Sequence, residues 1–210
     1  MLILSLDLST KPGVAIFKDD KLLHASTVFN DMTVEDFGDY PFNYIKFCQY
    51  TINKLVSYIN QLNYNFHDFD KIVLEETTTS RQNYSQKKLE FLHYTLLLTL
   101  SNLKSKIVYI RSEVWKRMND AKMSKEEKSN NAKIQRLKKK TGKRQVRKDE
   151  EGNKIRKVTR HDAYIRRCNE LFGTVFGRKE EDAAAAVLLG RAYLMNAPIC
   201  DGKITGGLIK

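Results

Sequence analysis

The sequence predicts an α/β fold: a mixed, centrally parallel sheet with helices on both sides, forming one domain over residues 1–210 with a basic insert at 120–160. Three observations predict it. Short β-prone apolar runs alternate with longer stretches of helical periodicity, the first three such runs are separated only by turns, and 210 residues are enough for one sizeable core.

Met1–Leu6 is an apolar run that ends at Asp7, and Gly13–Phe17 is a second one after the turn-rich Ser9-Thr-Lys-Pro12. Lys21–Phe29 is a third, joined by an Asp19-Asp20 turn, so a three-stranded meander opens the chain. From Phe42 to Leu62 the apolar residues Ile45, Cys48, Ile52, Leu55, Val56, Ile59 and Leu62 recur at helical spacing, which predicts an amphipathic helix. Asp70–Leu74 is a buried strand that stops at Glu75-Glu76, and Tyr84–Leu103 is a long helix with a leucine stripe. Lys106–Ile110 is a further strand, with Ser112 as N-cap of a short helix over Glu113–Asn119. After the insert come a helix over Asp162–Phe172 and an alanine-rich helix over Glu180–Asn196, stopped by Pro198.

Composition narrows the function. The formal net charge is +12, and Asp120–Arg160 alone holds sixteen Lys or Arg against six Asp or Glu, so ten of the twelve surplus charges sit in one segment. A polyanion, nucleic acid first, is the natural partner of such a surface. Within it, Lys143–Thr159 has the pattern of a hairpin around Gly152-Asn153. The longest apolar runs, Tyr94–Leu98 and Ala183–Leu189, fall far short of the ~20 residues that span a bilayer, and no secretory leader is expected before the first strand. Cys48, Cys168 and Cys200 lie far apart, which argues against a disulfide scaffold or thiolate zinc site and for a reducing, cytoplasmic location.

Carboxylates stand where plain folding would not put them. Asp7 ends one apolar strand, Glu75 ends another, and Asp182 opens a helix so apolar that it must pack on the sheet. Each has a bland reading: a turn-bonding acid, a solvated strand end, a favourable helix-start charge. Brought together they repel, and the ordinary remedy is Mg²⁺ or Mn²⁺, hard cations that prefer carboxylate oxygens. Two such ions ~3.5–4 Å apart activate a water and stabilise the leaving oxygen of a phosphodiester.

The order and flanks of these residues carry a resemblance. Leu4-Ser-Leu-Asp7-Leu-Ser-Thr-Lys-Pro-Gly13-Val-Ala-Ile resembles the first-strand motif of RuvC-type Holliday junction resolvases. Val73-Leu-Glu75-Glu76 followed by Ser80-Arg-Gln-Asn83 is similar to that family's glutamate strand and loop, and Ile107–Trp115 with Lys116 and Arg117 to its next strand and short helix. Asp182-Ala-Ala-Ala185-Ala-Val-Leu-Leu-Gly190 resembles the closing Asp-x-x-Asp helix at its first acid only. The resemblance spans Leu2 to Leu194 apart from the basic insert, and it implies an RNase H-like fold, a homodimer and magnesium-dependent paired nicking of four-way DNA junctions. By position it makes Asp7, Glu75 and Asp182 metal ligands, two ions per site, with Glu76 second choice because it points to the other side of its strand.

Two departures stand out. Thr78 occupies the position where several bacterial members hold an aromatic, with Tyr84 as a nearby substitute. Ala185 replaces the second helix acid, on the face that i, i+3 spacing shares with Asp182. Either the chain is an inactivated form, a branched-DNA-binding protein of the same fold, or Glu181 supplies the missing group. An actin-like or sugar-kinase relative also opens with an Asp-turn-Gly hairpin, but Gly173, Gly177, Gly206 and Gly207 form no second phosphate loop.

Candidate DNA contacts are Arg81, Gln82, Asn83, Lys87 and Lys88 after the glutamate strand, and Arg136, Lys138, Lys139, Lys140, Lys143, Arg144, Arg147 and Lys148 in the insert, with Arg156-Lys157 beyond them. The four histidines show no zinc spacing, His161 reads as a helix-start residue, and Trp115 reads as a core or interface residue.

Overall fold

A computed structural model of the chain describes residues 1–76, 84–141, 147–148, 154–155 and 157–200. The opening meander forms as β1 (Leu2–Asp7), β2 (Gly13–Lys18) and β3 (Lys21–Thr27), and after the amphipathic helix α1 (Phe42–Gln61) come β4 (Lys71–Glu75), α2 (Tyr84–Thr99) and β5 (Ile107–Ile110). The sheet order is β3-β2-β1-β4-β5, with β1 antiparallel to β2 and parallel to β4, and β4 parallel to β5. This is the mixed, centrally parallel sheet the sequence predicts.

Strand alternation then sorts the side chains into two layers. Leu4, Leu6, Ile72 and Leu74 pack with α1 and α2 on one face. Ile3, Ala15, Phe17, Val73 and Val108 pack on the other face, against three later helices, α3 (Ser112–Met118), α5 (Arg160–Phe172) and α6 (Glu181–Leu194). Asp7 and Glu75 share the parity of Ile3 and Val73, so both belong to the α6 face. α3 is fastened to that layer by Asn119, fully buried, whose Nδ2 donates to the Trp115 and Leu188 carbonyls at 2.8 and 2.7 Å and whose Oδ1 accepts from Arg191 at 2.9 Å.

Three expectations need correction. The long helix predicted to Leu103 ends at Thr99 and gives way to a 3₁₀ turn over Ser101–Lys106. The Thr95 and Thr99 hydroxyls bond back to the carbonyls of Phe91 and Thr95, and Ser101-Asn102 favours turn geometry. Ser112 is not the N-cap of α3: the extended Arg111 precedes the helix, and the Ser112 hydroxyl accepts from the Lys116 ammonium instead. The basic insert contains a helix that its charge obscured, α4 (Lys125–Thr141), opened by a reciprocal cap in which the Ser124 amide donates to Glu127 and the Glu127 amide to the Ser124 hydroxyl, at 2.7 and 3.0 Å. The expected hairpin is present in part, as β6 (Arg147–Lys148) paired with β7 (Lys154–Ile155).

Candidate active site

The parallel register pairs Ser5 with Val73 and Leu6 with Leu74, so one further step sets Asp7 beside Glu75 at the C-terminal ends of adjacent strands, about 4.8 Å apart. Asp182 reaches the same place from α6. The start of that helix lies directly over Gly13, the register partner of Asp7, and its Ala183 amide is capped by the Thr27 hydroxyl at 3.3 Å. The three carboxylates singled out in the sequence are thus gathered from three elements.

Their electrostatics agree with that placement. Burial pushes the Asp7 carboxyl well above the usual carboxylate range, and the charges of Glu75 and Asp182 raise it further; the Lys116 ammonium pulls it back and Glu181 adds a smaller push upward. Burial also lifts Asp182 to about 6, helped by Glu181 and opposed by a hydrogen bond from Ser9 and by His161 and Lys11. Asp7 keeps some solvent contact despite this setting, as a side chain at an open site must.

Glu75 has two distinct partners. Its Oε2 accepts the Trp115 indole N–H at 2.6 Å, and its Oε1 lies 3.9 Å from the Lys116 ammonium. Trp115 packs edge-on against Tyr164, the Lys116 ammonium sits over both rings at 4.8 and 5.6 Å, and Tyr164 stacks on His161 with ring centroids 5.8 Å apart. His161 Nδ1 pairs with Glu181 Oε2 at 2.6 Å. Burial, with the charges of Glu75 and Asp7 adding to it, raises the Tyr164 phenol to about 12, so it remains a neutral O–H beside the acids.

These flanking groups are what sequence reasoning missed. Trp115 is a core residue, as read, and also a donor to Glu75. His161 sits in the first turn of α5, as read, and also holds Glu181. Lys116 lies in the quoted Ile107–Arg117 stretch, but a lysine on a short helix carries no sign of where its ammonium ends. Glu76 behaves as expected of the opposite side, engaged by Arg111 at 3.3 Å and by the Cys200 thiol at 3.3 Å.

Ala185, one turn beyond Asp182, is 4 % exposed and packs in the apolar cluster that includes Trp115 and Tyr164. Lys87 and Lys88 are on α2, across the sheet from the carboxylates, and the Lys88 ammonium lies 5.8 Å from the Phe47 ring. Arg136 is exposed on α4, Lys138, Lys139 and Lys140 follow on its last turns, and Arg147 and Lys148 form β6. Arg81, Gln82, Asn83, Thr78, Lys143 and Arg144 lie outside the described residues. The start of the insert is tied to α5 and the residues before it: Glu127 receives Arg166 of α5, and Asn131 both donates to the Val158 carbonyl and accepts from its amide, at 2.7 and 3.1 Å.

By chemistry the donor set suits a hard divalent cation, since desolvated, mutually repelling carboxylates are what such an ion relieves. Among the described residues no three His, Cys, Asp or Glu side chains stand close enough to hold an ion as they are placed.

Comparison with protein families and with curated proteins gives no match. Solved structures do match. Thermus thermophilus RuvC in complex with a Holliday junction substrate has a TM-score of 0.53 at 11 % identity, covering 95 % of this chain and 100 % of that one. A second RuvC structure from Thermus thermophilus gives 0.52 at 12 % identity, with the same coverage. The yeast mitochondrial Holliday junction resolvase Ydc2 gives 0.47 at 10 % identity, covering 91 % of this chain and 77 % of that one. The two RuvC structures establish that this chain has the RuvC-like, RNase H-like fold.

Proposed function

We propose that this protein is a metal-dependent endonuclease that resolves four-way DNA junctions by paired nicks. The observation that carries the reading is the convergence of Asp7, Glu75 and Asp182 at one end of the sheet on a RuvC-like fold, with burial and the charges of Glu75 and Asp182 raising Asp7, and burial and Glu181 raising Asp182.

Asp7, Glu75 and Asp182 would hold divalent cations, Mg²⁺ with Mn²⁺ as substitute. When bound, two such ions supply Lewis acidity toward an attacking water and the leaving oxygen of a phosphodiester. The chain's residues supply the rest. Asp7 and Glu75 project from rigid neighbouring strands, Ser9 orients Asp182, Trp115 holds one oxygen of Glu75, and Lys116 places a positive charge at the edge of the group. α4 of the basic insert is anchored to α5 through Glu127 and Arg166, and the insert's lysines and arginines would bind phosphates of a duplex arm. Two copies of the chain would give the two sites that paired nicking requires.

A specific observation favours a second reading, a protein that binds branched DNA and cuts it poorly: Ala185 supplies no ligand on the face shared with Asp182. Incubation of a labelled synthetic four-way junction with the protein in Mg²⁺ tests both. Metal-dependent nicks that disappear in Asp7→Asn support the nuclease; tight binding with no nicks under any divalent ion supports the second reading.

A further inference from the structure

The surroundings of Glu75 go beyond what a metal ligand needs for packing. Trp115 is 1 % exposed, and a buried indole N–H requires an acceptor. It takes a carboxylate oxygen of Glu75, in a short hydrogen bond of 2.6 Å. The donor is held rigidly. The indole is wedged edge-on against Tyr164 with centroids 5.2 Å apart, and the residue's own carbonyl accepts from Asn119, which is tied in turn to α6. Glu75, at the end of a strand, has several rotamers open to it. The indole on Oε2 and the Lys116 ammonium 3.9 Å from Oε1 give its two oxygens different roles.

We propose that Trp115 is a positioning residue: its indole N–H locks the orientation of Glu75 and so tightens divalent-cation binding at the carboxylate site. The inference rests on the metal-dependent nuclease reading. A phenylalanine at 115 would fill most of the same core volume, so the N–H itself is the part of Trp115 that serves the site. Groups that orient a ligand in this way typically change metal affinity or activity by roughly 10–100-fold.

The test is Mn²⁺ binding to the full chain, followed by the loss of free-ion paramagnetic resonance, for the parent, Trp115→Phe, Glu75→Gln and the double variant. Trp115→Phe should weaken Mn²⁺ binding about 10–100-fold, and the same change in the Glu75→Gln background should cost nothing further. Parent-like affinity in Trp115→Phe, or equal losses in both backgrounds, overturns the inference even if the parent nicks junctions. A parent with neither Mn²⁺ affinity nor nicking overturns the functional reading and the inference with it. If Trp115→Phe fails to fold, the indole N–H proton resonance, single because the chain has one tryptophan, is compared between parent and Glu75→Gln. It should sit downfield in the parent and move upfield when the charged acceptor is removed, and an unchanged resonance overturns the assignment.

Discussion

A methyl group on residue 13 would stand 1.9 Å from the backbone carbonyl oxygen of Asp182. Gly13 is therefore the place where α6 is allowed to touch the sheet, and it is the strand partner of Asp7. The absence of a side chain there sets how near the start of α6, and with it Asp182, can come to the strand end that carries Asp7. Gly13→Ala should push the start of α6 away, lower stability by about 1–3 kcal/mol as overpacking does, and remove nicking while junction binding survives. Thermal melts together with the junction assay check it; unchanged nicking would separate the helix position from the chemistry.

Asp182 gives a pH dependence whose sign can be worked out. Its carboxyl titrates near 6 in the folded chain against 3.8 for its ordinary value, so between those pH values the folded state keeps a proton that the unfolded state has lost. Stability of the metal-free protein is therefore drawn down as pH rises toward 6 and stays reduced above it, by about 1–2 kcal/mol after allowance for the solvent that reaches the group. His93, buried and lowered to about 4, works in the opposite direction over much of this range, so the comparison that isolates the site is with and without Mg²⁺. The gain in melting temperature on adding Mg²⁺ should be small at pH 5 and larger at pH 7.5. A gain independent of pH would show that the ion binds elsewhere.

Relief of the same repulsion predicts that Asp7→Asn raises the melting temperature of the metal-free protein and abolishes nicking. Calorimetry in chelator checks the first half. A variant that melts below the parent would mean that the carboxylate is satisfied without metal.

The insert should set the salt dependence of DNA binding, since ten of the twelve net charges lie between 120 and 160. With roughly 6–10 phosphate contacts, affinity for a four-way junction should fall on the order of 10³–10⁵-fold between about 50 and 200 mM salt. Replacing Lys138, Lys139, Lys140, Lys143 and Arg144 by Gln should flatten that slope. An unchanged slope assigns the segment to solvent.

The parts of this protein that were legible in the sequence are those written in periodicity and in misplaced charge. Short apolar runs along Leu2–Leu6 and Ile72–Leu74 located the strands, and an acid at the end of each located two of the three carboxylates. Asp182 was legible because it opens a helix of Ala, Val and Leu. The flanking groups were not, because they depend on distances across the fold: nothing near Trp115 in the chain announces that its N–H will meet a residue forty positions earlier. α4 was hidden for a different reason. Its few apolar residues give no clear face, and Ser124-Lys-Glu-Glu127, a reciprocal cap, was its one local signature.

The most direct test of the account is the rate at which Ala185→Asp, the parent and the Ala185→Asp, Asp7→Asn double variant nick a labelled four-way junction in Mg²⁺. Position 185 shares a helix face with Asp182, so an aspartate there is the substitution expected to add a ligand to the site, against the cost of placing a carboxylate in an apolar cluster. The account predicts that Ala185→Asp cuts at least about tenfold faster than the parent, that all three proteins bind the junction alike, and that adding Asp7→Asn removes the cutting. Equal, robust cutting by the parent and Ala185→Asp would show that Ala185 is not a missing ligand and that Glu181 or another acid completes the site; cutting that survives without Asp7 would contradict the account.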